Sequence, residues 1–209
     1  MKEVKLTSVI IINDEKGNLS GSLSQSPGYY ESYSLRKNIR EKGKAIFFEN
    51  LKKGFNTEVE IEHTAIDSLD KYDYPIAIHY DFTIKTEKSN LLYFNPMLCE
   101  ARKENPLKSP ERSYPVEMPH PIDEIYLLKM DVPEGYSIDE LPKQIRLKLN
   151  ENDDGYFEYL ISESNGVISL RSHVLLKRTY YSPDEYSMLR EFFNMVVKKQ
   201  SEQIVLKKK

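Results

Sequence analysis

The chain has 209 residues, enough for one large domain or two small ones. Its 30 Lys and Arg against 33 Asp and Glu leave a net charge of −3. That excludes the basic excess a phosphate-binding surface normally shows, so no nucleic-acid partner is expected. Hydrophobic residues at 39% and charged residues at 30% exclude a wholly disordered chain and fit a globular fold with a real core.

No apolar run approaches the roughly 18 residues that a bilayer span requires, and no membrane span is expected. The longest run, residues 9–12, has the length of a strand. The first residues carry no signal-peptide core. The expectation is either a cytoplasmic protein or a piece of a longer exported one. A single cysteine, Cys99, excludes an internal disulfide framework and a cysteine-rich zinc site. Trp is absent and Tyr reaches 15. Tyrosine suits half-buried strand surfaces, and the same residue type would serve a sugar-binding platform.

In chain order, residues 4–12 read as a strand. Residues 13–18 have turn chemistry with Gly17 free to take positive φ, and 19–24 read as the returning strand of a hairpin. Residues 30–40 fit either strand or helix. Residues 45–51 fit a short helix with Gly54 as its C-cap. Residues 57–64 alternate, with Val59, Ile61 and His63 on one face. Residues 67–74 are polar and turn-rich. Residues 76–85 form the clearest strand, bulky and apolar at every second position.

Six of the eleven prolines lie between Pro96 and Pro121. Each fixes φ and removes a backbone donor, so this stretch is extended and irregular. Phe94, Met97, Leu98, Leu107, Tyr114, Val116 and Met118 make it a strap lying across a domain, since flexible linkers are polar. Strand character resumes over 122–132, followed by a turn at 133–136. Ile145, Leu147 and Leu149 then alternate with charged residues. Residues 152–155 and 163–166 are turn signatures, flanked by strands over 156–162 and 167–180. Ser182, Pro183 and Glu185 form a capping box with proline in the first turn, opening a helix over 183–199. Tyr186, Leu189, Phe193, Val196 and Val197 give that helix an apolar stripe. Residues 204–206 read as a closing strand before a solvated lysine tail.

The pattern predicts a mainly β chain with a minor α+β component. It is an antiparallel β-sandwich with one long helix near the C-terminus. A smaller α+β hairpin region over 1–88 would precede the sandwich over 89–209. No internal repeat or low-complexity tract is present.

No group of residues forms a recognisable catalytic, cofactor-binding or metal-binding constellation. Cys99 sits in irregular chain before Glu100, with no helix starting there to lower its pKa, so it reads as a small apolar filler. His63, His79, His120 and His173 are scattered, without the i,i+4 spacing of a helical metal site. His63 is in phase with Val59 and Ile61 and is expected half buried, whereas His79 is expected to face solvent. Residues 150–155 partly match a calcium loop, but the position of the closing glutamate is Ile161, so a hairpin turn is expected. No glycine-rich phosphate loop and no paired-carboxylate frame appear, and no cofactor is expected.

One resemblance goes further. Tyr93-Phe94-Asn95-Pro96, Asn105-Pro106-Leu107-Lys108, Glu111-Arg112-Ser113-Tyr114-Pro115-Val116, Val132-Pro133-Glu134-Gly135-Tyr136 and Glu140-Leu141-Pro142-Lys143 occur in order. Glu185-Tyr186, Phe192-Phe193 and Ile204-Val205-Leu206-Lys207 follow. This series resembles the uncharacterised C-terminal domain of large bacterial transglutaminase-like proteins, which follows a papain-fold core. The likeness is strongest over 90–207. That family's Cys/His/Asp triad lies in the core, and Cys99 does not match its nucleophile turn. The resemblance implies a non-catalytic accessory domain, periplasmic or exported, whose partner is the upstream transglutaminase-like core and whose export signal lies upstream. It leaves room for an envelope protein or glycan partner, with binding of envelope polysaccharide or peptide through exposed tyrosines as the alternative.

Overall fold

The structure is a computed structural model and describes residues 3–14, 18–55, 57–85 and 89–209. The turn expected around Gly17 lies outside the described residues. Thirteen strands and three α-helices follow in order among them. They are β1 (Lys5–Asn13), β2 (Leu19–Ser26), α1 (Tyr29–Lys42), α2 (Lys44–Lys52), β3 (Val59–Asp67), β4 (Ala77–Ile84), β5 (Leu91–Phe94) and β6 (Val116–Glu117). Then come β7 (Ile122–Asp131), β8 (Tyr136–Glu140), β9 (Ile145–Lys148), β10 (Gly155–Ser164), β11 (Val167–Leu176), β12 (Tyr180–Tyr181), α3 (Tyr186–Gln200) and β13 (Ile204–Lys208). The chain is mainly β with a minor helical part, as its alternation implies.

Eight strands form one sheet in the order β3-β4-β2-β1-β7-β11-β10-β9. Seven ladders join them. Six are antiparallel, and the β1–β7 ladder is parallel. The sheet is therefore mixed, because β1 and β7 come from distant parts of the chain and no short turn constrains their direction. The boundary expected after residue 88 falls between β4 and β5. The parallel ladder carries strands from both sides of that boundary into one sheet. A three-stranded sheet, β5-β13-β8, and a two-stranded one, β12-β6, complete the strand pairing.

The inner face of the large sheet carries the core. Val9 and Ile11 of β1, Tyr80 and Phe82 of β4, Leu128 and Met130 of β7, and Phe157 and Tyr159 of β10 are buried there. Across from them, α3 contributes Leu189, Phe193 and Val196, and the small sheet contributes Phe94, Ile204 and Leu206. Burying each such side chain stabilises the fold by about 1.5–3 kcal/mol. Phe192 joins the stripe and Val197 lies at its margin. The helix opens on a single 3-10 turn, Pro183–Glu185, where the Ser182 N–H donates to the Glu185 carboxylate at 2.8 Å. This is the capping box read from the sequence.

The segment rich in proline is a strap along α3. The Asn105 amide donates to the Arg190 carbonyl at 2.8 Å, Arg190 Nε donates to the Leu107 carbonyl at 3.1 Å, and the Tyr186 hydroxyl donates to the Ser109 carbonyl at 2.7 Å. Met97, Leu98, Leu107 and Val116 anchor it in the core.

Residues 30–40 are helical. Only Ser32, Arg36 and Ile39 of α1 are buried, so its apolar stripe is too narrow to settle the period in sequence. Gly43, at φ +91°, ends α1, and Gly54 does not act as the expected left-handed C-cap of α2. Instead, Lys53 caps that helix in right-handed geometry and the Gly54 N–H donates to the Leu51 carbonyl at 2.9 Å.

Candidate interaction site

Lys5 opens β1 in phase with the buried residues Thr7, Val9 and Ile11, so its side chain points inward. It meets Glu100 of the strap at 3.1 Å and Glu31 of α1 at 3.6 Å. Glu124 of β7 stands beside them and takes a two-pronged contact from Arg102 at 2.7 Å. Burial acts to lower the Lys5 pKa, yet Glu100, Glu31 and Glu124 outweigh it and hold the ammonium well above the usual lysine range. For Glu31, burial is the larger influence and raises its carboxyl, with Lys5 opposing. A cavity of about 40 Å³ lies among Lys5, Thr7, Glu100, Glu124, Tyr126 and Gln200. That is room for a few water molecules and not for a substrate. The cluster ties β1 and α1, from the first part of the chain, to the strap and β7 of the second.

Neighbouring contacts repeat that pattern. The Glu3 carboxylate accepts from the Tyr30 N–H at 3.1 Å and the Glu31 N–H at 3.2 Å, which caps α1. The Asn13 amide donates to the Val132 carbonyl at 3.1 Å, and Lys103 Nζ donates to the Gly54 carbonyl at 3.2 Å. Sequence reading missed this cluster, because its members are far apart in the chain. The one available signal was a lysine on the apolar phase of a strand.

Cys99 lies at the rim of the cluster. Its thiol is 3.8 Å from the Tyr80 hydroxyl and 4.0 Å from a Glu100 carboxylate oxygen. Burial first, then Glu100, push the thiol up to about 11. The thiolate needed for nucleophilic attack is disfavoured in this setting.

The four histidines stay apart. His173 is buried and bridges Asp123 and Tyr156 on the outer face of the sheet. Arg171 can only donate, so Nδ1 of His173 accepts from it at 2.9 Å, with the Tyr156 hydroxyl also 2.9 Å from that nitrogen, and Nε2–H donates to Asp123 at 2.8 Å. His79 is partly exposed and lies 3.3 Å from Asp67. His63 corrects the expected phase. A bulge between Glu62 and Ala65, with His63 at φ +48°, turns its ring into solvent beside Asp81 at 2.9 Å. His120 stacks on Tyr30 with ring centroids 5.4 Å apart. Among the described residues, no three His, Cys, Asp or Glu side chains group to hold a metal ion.

Residues 150–155 form a hairpin turn. The Asn150 amide donates to Asp154 at 2.8 Å, and Lys177 and Arg178 occupy Asp153 and Asp154 at 2.6 and 2.9 Å. The exposed tyrosines are dispersed: Tyr93 of β5 lines a groove of about 620 Å³ with Leu92 and Phe94, Tyr114 lies in the strap and Tyr180 on β12. Tyr30 and Tyr33 lie on α1, and Tyr72 and Tyr74 lie on the β3–β4 loop that Arg36 pins through the Ser68, Lys71 and Tyr74 carbonyls.

Among the described residues, the helices, the strap and the small sheet pack on the inner face, and Ile10, Ile12 and Leu127 stand exposed on the outer face of the large sheet. Its centre carries a shallow groove of about 470 Å³ lined by Ser8, Ile10, Leu127, Lys129, Leu160 and Arg171.

A family model for a domain of unknown function with a solved structure, DUF3858, matches residues 90–206. The chain belongs to this family. The DUF3858 stretch begins just before β5 and ends within β13, so it supplies β7, β11, β10 and β9 and leaves β1 to complete the sheet at β7. No curated protein matches the chain. Among solved structures, the chain is similar to a crystal structure of a candidate protease from Parabacteroides distasonis ATCC 8503. Identity is 17% over 47% of this chain and 19% of that one, with a TM-score of 0.41. The chain thus spans about a fifth of that protein's length.

Proposed function

We propose that the chain is a non-catalytic accessory domain of a larger, exported transglutaminase-like bacterial protein, and that it packs on and orients the catalytic core. The observation that carries this reading is the junction at the edge of the DUF3858 stretch. Strand β7 would be an open sheet edge on its own, and β1, from the preceding segment, pairs with it from Lys5↔Glu124 to Ile11↔Met130. The partly buried Lys5 cluster reinforces the same junction with charge-assisted contacts. A DUF3858 stretch joined to the segment before it by both a ladder and a partly buried ion cluster holds that segment in a fixed orientation, which the proposed coupling to a core requires. The polar groups near Cys99 and His173 serve packing in this reading, and neither is poised for bond-making.

The test is the melting temperature of a transglutaminase-like core with and without this chain attached in its natural order. A rise of about 3 °C or more is expected, corresponding to about 1 kcal/mol for a domain of this size. An unchanged core overturns the reading. The second reading, binding of envelope polysaccharide or peptide, draws on the exposed rings of Tyr33 and Tyr74. Pull-down on purified peptidoglycan, abolished by Tyr33→Ala with Tyr74→Ala, would favour it.

A further inference from the structure

We propose that two copies of this chain associate face to face through the open side of the eight-stranded sheet. Along β1, in the middle of the sheet, Ile10 is 53% and Ile12 52% exposed, with Leu6 at 41% and Leu127 of β7 at 37% beside them. Strand β2, on the other flank, presents Ser20, Ser22, Ser24 and Ser26 outward, opposite Ile12, Ile10, Ser8 and Leu6. The apolar row therefore stands above a low shoulder.

The face is also electrically divided about that row. On one side, β3 and β4 turn Glu60, Glu62, Asp67 and Asp81 outward, where Lys85 pairs with Glu60 at 2.8 Å, His79 lies 3.3 Å from Asp67 and His63 lies 2.9 Å from Asp81, so carboxylates outnumber lysines there. On the other, β7, β11 and β9 present Lys129, Arg171, Arg146 and Lys148. The carboxylates on that second side are fewer: Glu158, held between Arg146 and Arg171, Asp123, held by His173, and Asp131 at the end of β7.

These two properties select a second copy as the occupant. A twofold axis along the strand direction, lying between two such sheets, sets β1 over β1 and exchanges left for right. Ile10 and Ile12 then meet their counterparts, and the acidic β3–β4 side covers the basic β7–β11 side of the other copy. Registers put Asp81 and Lys129 at one level, both flanking Ile10 through Ser22 on one side and directly on the other. The alternative axis, across the strands, sets like charge over like and is disfavoured. Sheets pack this way at about 10 Å separation and about −30°. Eight strands about 4.8 Å apart and on average about eight residues long give a face on the order of 1,000 Å², enough for the ~800 Å² per partner of a specific complex.

Sedimentation of the full 209-residue chain at low salt and at about 0.5 M salt tests this, with concentration taken to about 100 µM. A species of twice 24.5 kDa is expected, weakening with salt. Ile10→Lys, and separately Ser22→Lys, should give a single-chain mass while leaving the far-UV spectrum unchanged. Asp81→Lys or Lys129→Glu alone should weaken association about tenfold, since each acts twice across the axis. The two together should restore it. A wild-type chain that stays monomeric throughout, or a charge-swapped double variant that does not recover, overturns the proposal. Either result leaves the accessory reading to its own measurement on the core.

Discussion

Lys5 on β1 and Glu100 in the strap meet at 3.1 Å, beside the one parallel ladder among the described strands. The pair joins the first strand of the chain to the stretch the family model recognises. Lys5→Met leaves Glu31, Glu100 and Glu124 facing Arg102 without their central cation. Breaking a fully buried ion pair costs about 3–5 kcal/mol, and partial exposure of this one puts the expected loss at about 2–3 kcal/mol. Urea denaturation at pH 7 should show a lower midpoint at unchanged slope. An unchanged midpoint would contradict the assignment.

Glu31 should respond to pH with the opposite sign from most carboxylates. Burial raises its pKa in the folded chain. The native state then holds the proton more tightly than the unfolded state, so its contribution is most favourable below the unfolded value. That contribution is lost as pH rises through the raised one. Glu31→Gln, which keeps the neutral form, should therefore raise the melting temperature near pH 7. The gain should fade as pH approaches 4. A gain that grows on acidification would refute the burial argument.

Cys99 should be slow toward thiol reagents in the native chain. With its thiol held up to about 11, the thiolate fraction at pH 8 is small, and modification by iodoacetamide should accelerate as pH climbs toward that value. The folded state favours the protonated thiol. The associated stability is complete below the unfolded thiol value and declines as pH rises through about 11. Full labelling within seconds at pH 7 would show that the site is open.

The capping box of α3 gives a local test. Glu185 takes hydrogen bonds from Arg178 at 2.8 and 3.0 Å as well as from the Ser182 N–H, and Arg178, then the Ser182 backbone, hold its carboxyl below the usual range. Glu185→Ala should cost about 1 kcal/mol. Because the depressed carboxyl stabilises the fold above its unfolded pKa and loses that effect as pH falls through the folded one, wild type and variant should converge at acid pH. Thermal melts at pH 7 and near pH 3 would show it.

Local features of the fold were legible wherever a side-chain period or a turn residue decided the matter. The Asn165-Gly166 hairpin, with both residues at positive φ, and the turn closed by the Tyr136 N–H on the Pro133 carbonyl follow from residue chemistry alone. The Ser182 cap and the alternation of β4 did as well. Helix α1 was not legible, because Arg36 occupies a buried position where the pattern needed an apolar residue. His63 was misplaced because a bulge resets the strand period without a glycine to announce it. The partners of Lys5 and the exposure of Ile10 depend on which strand lies beside β1 and which face is covered. Those are long-range facts with no trace in the local pattern.

Strand β1 finds its second neighbour very late in synthesis: the contact between Asn13 and Val132 spans 119 residues. As the polypeptide leaves the ribosome, β1, β2, β3 and β4 have all emerged and can zip into a four-stranded antiparallel sheet in the order β1-β2-β4-β3 well before β7 appears. Throughout that interval the bare margin of β1, with Val9, Ile10, Ile11 and Ile12, is a template for any stray extended segment. Slow translation between these strands, or release of a truncated product, should therefore favour aggregation over a soluble half-sheet.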